Sequence, residues 1–116
     1  MGNTISMEVS RETLSCTQSL DTRGGRVNLE KAMQLSDRIN GHLVSGHVDG
    51  VGKIIKLEPA GESYLLAIRP PIALMRYIAK KGSITVNGVS LTVNLITKDE
   101  FRVNLIPHTL AATTFK

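Results

Sequence analysis

The stretch Ser83-Ile84-Thr85-Val86-Asn87-Gly88-Val89-Ser90-Leu91-Thr92-Val93 decides how this chain folds. Asn87-Gly88 supplies the two positive-φ positions of a type I′ turn, whose twist matches that of two antiparallel strands. Apolar and polar residues alternate on both sides, so the stretch reads as a hairpin with one buried face. Val89, Leu91 and Val93 share that face. Ser90 and Thr92 share the other and carry two hydroxyls side by side, turned outward. A rigid hairpin showing adjacent hydroxyls can bind a polar small molecule.

Outward from the hairpin, further strands follow. Beyond a turn at Lys98-Asp99-Glu100, the segment Phe101-Arg102-Val103-Asn104-Leu105 places Phe101, Val103 and Leu105 on one face. Upstream, Ser63 to Ile68 reads as a strand behind the turn Pro59-Ala60-Gly61-Glu62. Pro70-Pro71 opens a helix predicted over about residues 71–81. Ile72, Met75 and Ile78 recur every third residue, Leu74 widens the stripe, and Gly82 stands at the end as a left-handed stop. His42 to Gly52 mixes glycines with β-favouring residues and predicts a bent or bulged strand that continues to Leu57. Thr4 to Val9 alternates Ile5, Met7 and Val9 against Ser6 and Glu8, a further strand signal, and Arg26 to Leu29 is a shorter one. Leu29, Ala32, Met33 and Ile39 keep a loose helical spacing that stops at Asn40-Gly41, as in a short helix or an ordered linker. Short strands about eight to twelve residues apart, with one clear helix, predict an all-β fold closed into a small barrel.

The bulk properties narrow the function. A chain of 116 residues suits one compact domain. Fourteen Lys and Arg against ten Asp and Glu give a net charge of +4, but the basic residues are scattered and Lys80-Lys81 is the densest run. Aromatics are 3% and tryptophan is absent, which leaves few platforms for stacking bases. A solvated basic surface is the first reading, an anionic or polar ligand the second, nucleic acid a distant third. The single cysteine, Cys16, excludes an internal disulfide and a cysteine-rich metal site, and fits a reducing compartment. No apolar run approaches the ~20 residues a membrane crossing needs. The start of the chain lacks the basic and apolar parts of a signal peptide, and Met1-Gly2 with Ser6 matches an acylation pattern by chance. The expected location is the cytoplasm.

An internal repeat organises the chain. Shifted by 96 positions, Ile5 to Thr17 lies over Phe101 to Thr113. Ile5, Met7 and Val9 meet Phe101, Val103 and Leu105. Thr13, Leu14 and Thr17 meet identical residues in Thr109, Leu110 and Thr113. One strand-and-turn element thus occurs twice, about one small domain apart.

In this order and spacing, Glu12-Thr13-Leu14, Gly25 to Glu30, Gly41 to Gly50, Tyr77-Ile78, Lys81 to Ile84, Asn87 to Val93 and Leu105 to Leu110 resemble the riboflavin synthase family of tandem lumazine-binding barrels. The matching segments span nearly the whole chain. The resemblance implies a six-stranded, Greek-key-like closed barrel and assigns residues 1–33 to the closing strands of a first barrel, 34–41 to a linker and 42–116 to a second barrel without its last strand. It therefore implies an internal slice of a longer pattern. Such a barrel is either circularly permuted, with Arg26 to Leu29 filling the vacant strand position, or completed by another chain.

The resemblance also implies a reaction: dismutation of two 6,7-dimethyl-8-ribityllumazine molecules to riboflavin and 5-amino-6-ribitylaminouracil, with no metal and no cofactor. The lumazine is its own electron sink, so the protein holds two rings together and manages protons. The family assembles as a trimer, with sites between barrels, and neither nucleic acid nor membrane is an expected partner. Carried onto this sequence, Ser90, His47 and Thr92 are the catalytic set. Ser90 and Thr92 bind the ring edge with the Leu91 backbone between them, and Gly46-His47-Val48 lines the pocket. Lys81 faces a ring carbonyl or developing negative charge. Ile106, Pro107, His108, Thr109, Leu110 and Ala111 offer backbone and polar groups to the pyrimidine edge and ribityl chain. Glu8, Val9, Ser10, Arg11, Glu12 and Thr13 form the equivalent loop of the first repeat.

Simpler readings stand beside these. Ser90 and Thr92 fit ordinary solvent-facing strand positions, His42 fits a structural role, and His108 an exposed turn. Lys81 fits a cation at a helix C-terminus. His42 and His47 lie five apart without a third ligand, which argues against zinc. Gly50-Val51-Gly52-Lys53 lacks the spacing of a phosphate loop. Three functions follow: the enzyme, a non-catalytic lumazine- or flavin-binding protein, and a nucleic-acid-binding barrel.

Overall fold

Five strands carry the fold, and each forms where sequence alternation finds a partner. The structure is a computed structural model describing residues 3–115. The strands are β1 (Lys53–Ala60), β2 (Ser63–Arg69), β3 (Ser83–Val86), β4 (Val89–Ile96) and β5 (Phe101–Leu105). They form one antiparallel sheet in the order β1-β2-β5-β4-β3. Asn87 and Gly88 have φ of 49° and 79°, and Val86 pairs with Val89 across them, so the two-residue turn is the one the sequence predicts. A second turn joins β4 to β5. It is closed by the Thr97 amide donating to the Glu100 carbonyl at 2.9 Å. Glu100 is buried there, and its carboxylate accepts from the Arg102 guanidinium at 2.8 and 3.0 Å.

The core lies on one face of the three middle strands. Leu66 and Ile68 of β2, Leu91 and Val93 of β4, and Phe101, Val103 and Leu105 of β5 are all buried. A bulge at Asn94, between Val93 and Leu95, changes the phase of β4. Leu95 is turned to solvent and Ile96 packs on the core, so the extra residue lets one strand serve the same face on both sides of the bulge. A second bulge falls between Ile54 and Lys56. Gly52 precedes β1 because a Cβ there would come within 2.8 Å of the Ile68 side chain, and Gly50 backs onto Pro71 and Leu74.

Several expectations are corrected. The sheet is not closed by hydrogen bonds: β1 and β3 each pair on one side only, so five strands stand where a closed six-stranded barrel was expected. Residues 4–9, 26–29 and 42–52 contain no strand, although the sequence pattern predicts one in each. Alternation sets which face a strand would bury, but a ladder needs a neighbour, and none of these segments has one among the described residues. The segment 29–39 forms a turn, with the Asp37 amide on the Gln34 carbonyl at 3.1 Å, and no helix. The helix expected over 71–81 is a 3-10 helix, Ile72–Tyr77. The three-residue recurrence of Ile72, Met75 and Ile78 is the period of that tighter helix. Lys81, with φ of 67°, takes the left-handed position expected of Gly82. A Cβ on Gly82 would approach the Ala79 carbonyl oxygen to 2.9 Å, so close backbone contact requires the glycine. Met1-Gly2 lies outside the described residues.

The repeat has a structural counterpart. Helix α1 (Arg11–Ser15) and helix α2 (Pro107–Ala112) begin 96 positions apart. In each, the hydroxyl of the second threonine donates back to the carbonyl four residues earlier, Thr17 to Thr13 at 2.8 Å and Thr113 to Thr109 at 2.7 Å. The caps differ. The Ser10 hydroxyl accepts from the Thr13 amide at 3.1 Å, whereas α2 starts with Pro107, which has no amide hydrogen to satisfy.

Arg26 to Leu29 does not enter the sheet, yet one side chain ties it to the rest. Asn28 Nδ2 donates to the Asn87 carbonyl at 2.7 Å and to the Thr114 hydroxyl at 3.2 Å, and its Oδ1 accepts from the Thr114 amide at 2.8 Å. A single amide thus clamps the turn of the hairpin and the residues after α2.

Two predictions follow from this packing. Leu66→Ala should lower unfolding free energy by about 2–5 kcal/mol, because the site is closed on every side. Ile54→Ala on half-exposed β1 should cost less than about 1 kcal/mol. Urea titration of both variants checks the difference. Asn28→Ala should cost roughly 1–3 kcal/mol by leaving the clamp unmade. It should also speed hydrogen exchange at the Thr114 amide while leaving Val103 protected. Equal exchange at Thr114 in both proteins would refute the clamp.

Candidate functional site

The hairpin presents its two faces as the alternation requires. Leu91 and Val93 are buried and Thr92 is exposed. Ser90 is half-buried, because the backbone of Gly41 and His42 crosses over it. The His42 amide donates to Ser90 Oγ at 3.1 Å. His42 Nδ1 reaches the same oxygen, and Nε2 lies 2.9 Å from Thr85 Oγ1. Thr85 faces Ser90 directly across the β3–β4 ladder. Gly41 makes the crossing possible, since a Cβ there would sit 2.7 Å from Ser90 Oγ. The imidazole on Ser90 is therefore that of His42. Thr85 was missed by the sequence reading, although the two-residue turn fixes Thr85 opposite Ser90 once Val86 is set opposite Val89.

His47 sits elsewhere. With Gly46 and Val48 it forms one wall of an open cavity of about 500 Å3, and Ser10, Glu12 and Thr13 form the other. This brings the loop of the first repeat against the His47 segment. The cap on α1 orients that wall: Ser10 Oγ is bonded to the Thr13 amide and lies 2.9 Å from Thr13 Oγ1. The α1 surface bearing Arg11 and Glu12 is exposed, as are Glu8 and Val9. The space next to Gly46 is open.

Ile106 to Ala111 form the N-cap and body of α2. Pro107, Leu110 and Ala111 line a second, mainly apolar cavity of about 380 Å3 with Leu57, Tyr64 and Phe115. Ile106 and His108 are exposed, and Thr109 is half-buried, its carbonyl bonded to Thr113. Lys81 is exposed. Its amide donates to the Val93 carbonyl at 2.7 Å and the Val93 amide donates to the Gly82 carbonyl at 2.9 Å, which extends the ladder beyond Thr92. Because the 3-10 helix ends at Tyr77, Lys81 stands past its terminus and does not serve as its closing cation.

The candidate residues thus fall into three places: the outer hairpin face with His42, the cavity shared by His47 and the first-repeat loop, and the α2 cavity. Among the described residues, no three His, Cys, Asp or Glu side chains gather to hold a metal ion, and no helix is long and apolar enough to cross a membrane.

Comparison with known proteins places this architecture. The lumazine binding domain family matches residues 45–116, which takes in all five strands and α2. The chain is 45% identical over 113 residues to the riboflavin synthase of Photobacterium phosphoreum, covering 97% of this chain and 52% of that protein. It is 45% identical over 112 residues to that of Actinobacillus pleuropneumoniae, covering 96% and 52%. It is 41% identical over 114 residues to that of Bacillus subtilis (strain 168), covering 97% and 53%. The chain spans about half the length of the curated relatives it matches. On the extent of that match, the chain belongs to the lumazine-binding domain family.

Proposed function

We propose that this chain is a lumazine-binding unit of a riboflavin synthase, and that it holds 6,7-dimethyl-8-ribityllumazine for dismutation to riboflavin. The observation that carries this reading is the polar cavity in which the Ser10-to-Thr13 loop of the first repeat meets Gly46-His47-Val48. Its volume of about 500 Å3 falls within the roughly 300–1,000 Å3 typical of small-molecule sites. Its lining of hydroxyls, one carboxylate and one imidazole suits a ligand made of a flat heterobicycle and a polyhydroxyl chain. Identity above 40% to riboflavin synthases over nearly the whole chain supports the same ligand.

The chemistry asks little of the protein beyond placement. A lumazine can lose a proton from its C7 methyl and delocalise the charge into its own ring. Bringing a second ring face to face replaces an encounter in solution with a bound geometry. Ser90 and Thr92 address one ring edge from the hairpin, and His47 is the candidate proton carrier. Lys81 supplies a positive charge beside the base of the hairpin. Residues Ile106 to Ala111 meet the pyrimidine edge and ribityl hydroxyls. The partner is this ligand and its product, and the working assembly is a homo-oligomer, a trimer by family resemblance, in a cytoplasmic setting. In domain terms, we assign residues 1–33 to the closing part of a first barrel, 34–41 to a linker and 42–116 to a second barrel without its last strand.

A non-catalytic lumazine-binding role is the second reading. It is favoured by one observation: the family match over residues 45–116 is to a lumazine binding domain, which carries binding and not turnover. The result expected on this reading is binding with little turnover. Fluorescence titration with 6,7-dimethyl-8-ribityllumazine should saturate at tens of micromolar, and product analysis should show riboflavin forming slowly or not at all. Absence of binding in that range overturns both lumazine readings. Rapid riboflavin formation by the 116-residue chain overturns the second and supports the first.

A further inference from the structure

Ser90 carries the most constrained hydroxyl on the hairpin. A hydroxyl has one proton to donate and two lone pairs to accept with. The His42 amide fills one lone pair at 3.1 Å. What remains is one proton and one lone pair, and both face His42 Nδ1 or a ligand. The far side of the ring is also engaged, with Nε2 held 2.9 Å from Thr85 Oγ1.

We propose that His42 is a positioning residue that controls what Ser90 offers a ligand, through a hydrogen-bond relay in which the tautomer of its ring sets the orientation of the Ser90 and Thr85 hydroxyls. A neutral imidazole has one donor and one acceptor nitrogen, so the network has two consistent arrangements. In the first, Ser90 donates to Nδ1, and Nε2–H donates to Thr85. Ser90 then shows a ligand a lone pair and no proton. In the second, Thr85 donates to Nε2, and Nδ1–H donates to Ser90. Both Ser90 lone pairs are then filled and its proton is free for a ligand acceptor. Switching takes the proton off Nε2 and puts one on Nδ1 by exchange with solvent water, while both hydroxyls keep their protons and rotate, so the net charge is unchanged. A ligand edge that presents a carbonyl or bare ring nitrogen selects the second arrangement, and one that presents an N–H selects the first.

The network is tied to the fold at every point. Thr85 and Ser90 are directly paired across the ladder, so their spacing is set by register. Gly41 brings the His42 backbone onto Ser90, where any side chain at 41 would collide. His47 has no part in this network; it lines the other cavity. The geometry therefore gives the two histidines different work, His42 on the Ser90 proton and His47 on the cavity wall. The ligand part of the proposal rests on the lumazine reading; the relay itself does not.

The test separates the two. Ring 15N signals of His42 in the intact, ligand-free chain report which nitrogen carries the proton. Ser90→Ala and Thr85→Val should each shift that balance, in opposite directions, and Thr85→Ser should restore the wild-type pattern. Identical ring signals in wild type, Ser90→Ala and Thr85→Val overturn the relay. With 6,7-dimethyl-8-ribityllumazine as probe, Thr85→Val should weaken binding by roughly three- to tenfold, the size of one hydrogen bond. The same change in a Ser90→Ala background should have less than about a twofold effect, because no Ser90 hydroxyl is left for the relay to orient. Equal losses in both backgrounds overturn the control of Ser90 by His42. If the wild-type chain fails to bind the probe, the lumazine reading falls, and the ring signals alone decide the relay.

Discussion

Val103 is the residue on which the sheet is hung. It is directly opposite Leu66 on one side and Val93 on the other, and all three are excluded from water. Phe101 repeats the arrangement one pleat away, between Ile68 and Ile96. These two cross-strand rows join β2, β5 and β4 on one face, where burial of each large side chain contributes about 1.5–3 kcal/mol. The candidate residues of the hairpin are positioned from them. β4 extends from the core row into the hairpin, so Ser90 and Thr92 inherit their outward direction from Leu91 and Val93 pointing inward. The Asn94 bulge preserves this by letting Ile96 return to the core without turning Ser90 and Thr92 around.

The two copies of the repeat show which part of a strand is local and which is not. Ile5, Met7 and Val9 have the same alternation as Phe101, Val103 and Leu105. The second set is buried between two neighbours, while Ile5 and Met7 are about 70% exposed and unpaired. The short helices that follow form in both copies, along with their threonine back-bonds. A helical turn closes its hydrogen bonds within a few residues, so it survives in either setting. A strand must find its partner elsewhere in the chain. That is why β2, β4, β5 and the type I′ turn are legible in the sequence, and why the strands expected over 4–9, 26–29 and 42–52 are not realised. The helix error has a different source. The three-residue recurrence of Ile72, Met75 and Ile78 fits the period of a 3-10 helix better than that of an α-helix.

The site was legible to the same extent and for the same reasons. Ser90 and Thr92 are fixed by ladder register and lie where alternation put them. Grouping of the more distant residues was not legible, because it depends on how coil segments return to the sheet. His47 and Ser90 were expected together through family resemblance. The imidazole that reaches Ser90 is instead His42, delivered by a glycine whose purpose is visible only once the chain crosses the hairpin. Asn28 was read as part of a short strand, and its three hydrogen bonds to Asn87 and Thr114 belong to a clamp. In both cases one polar side chain substitutes for a ladder.

The candidate places differ in how firmly the fold holds them. Ser90, Thr92 and Thr85 stand on paired strands, and moving them requires breaking backbone hydrogen bonds of the sheet. The Gly46-to-Val48 wall and the Ser10-to-Thr13 wall belong to segments outside the sheet, whose rearrangement breaks no ladder. Elements with few buried contacts are the ones that open locally. The hairpin face is therefore a fixed template, whereas the cavity at His47, a separate place, has adjustable walls. The clamp at Asn28 links the two regimes, because it fastens a coil segment to the tip of the same hairpin that carries Ser90.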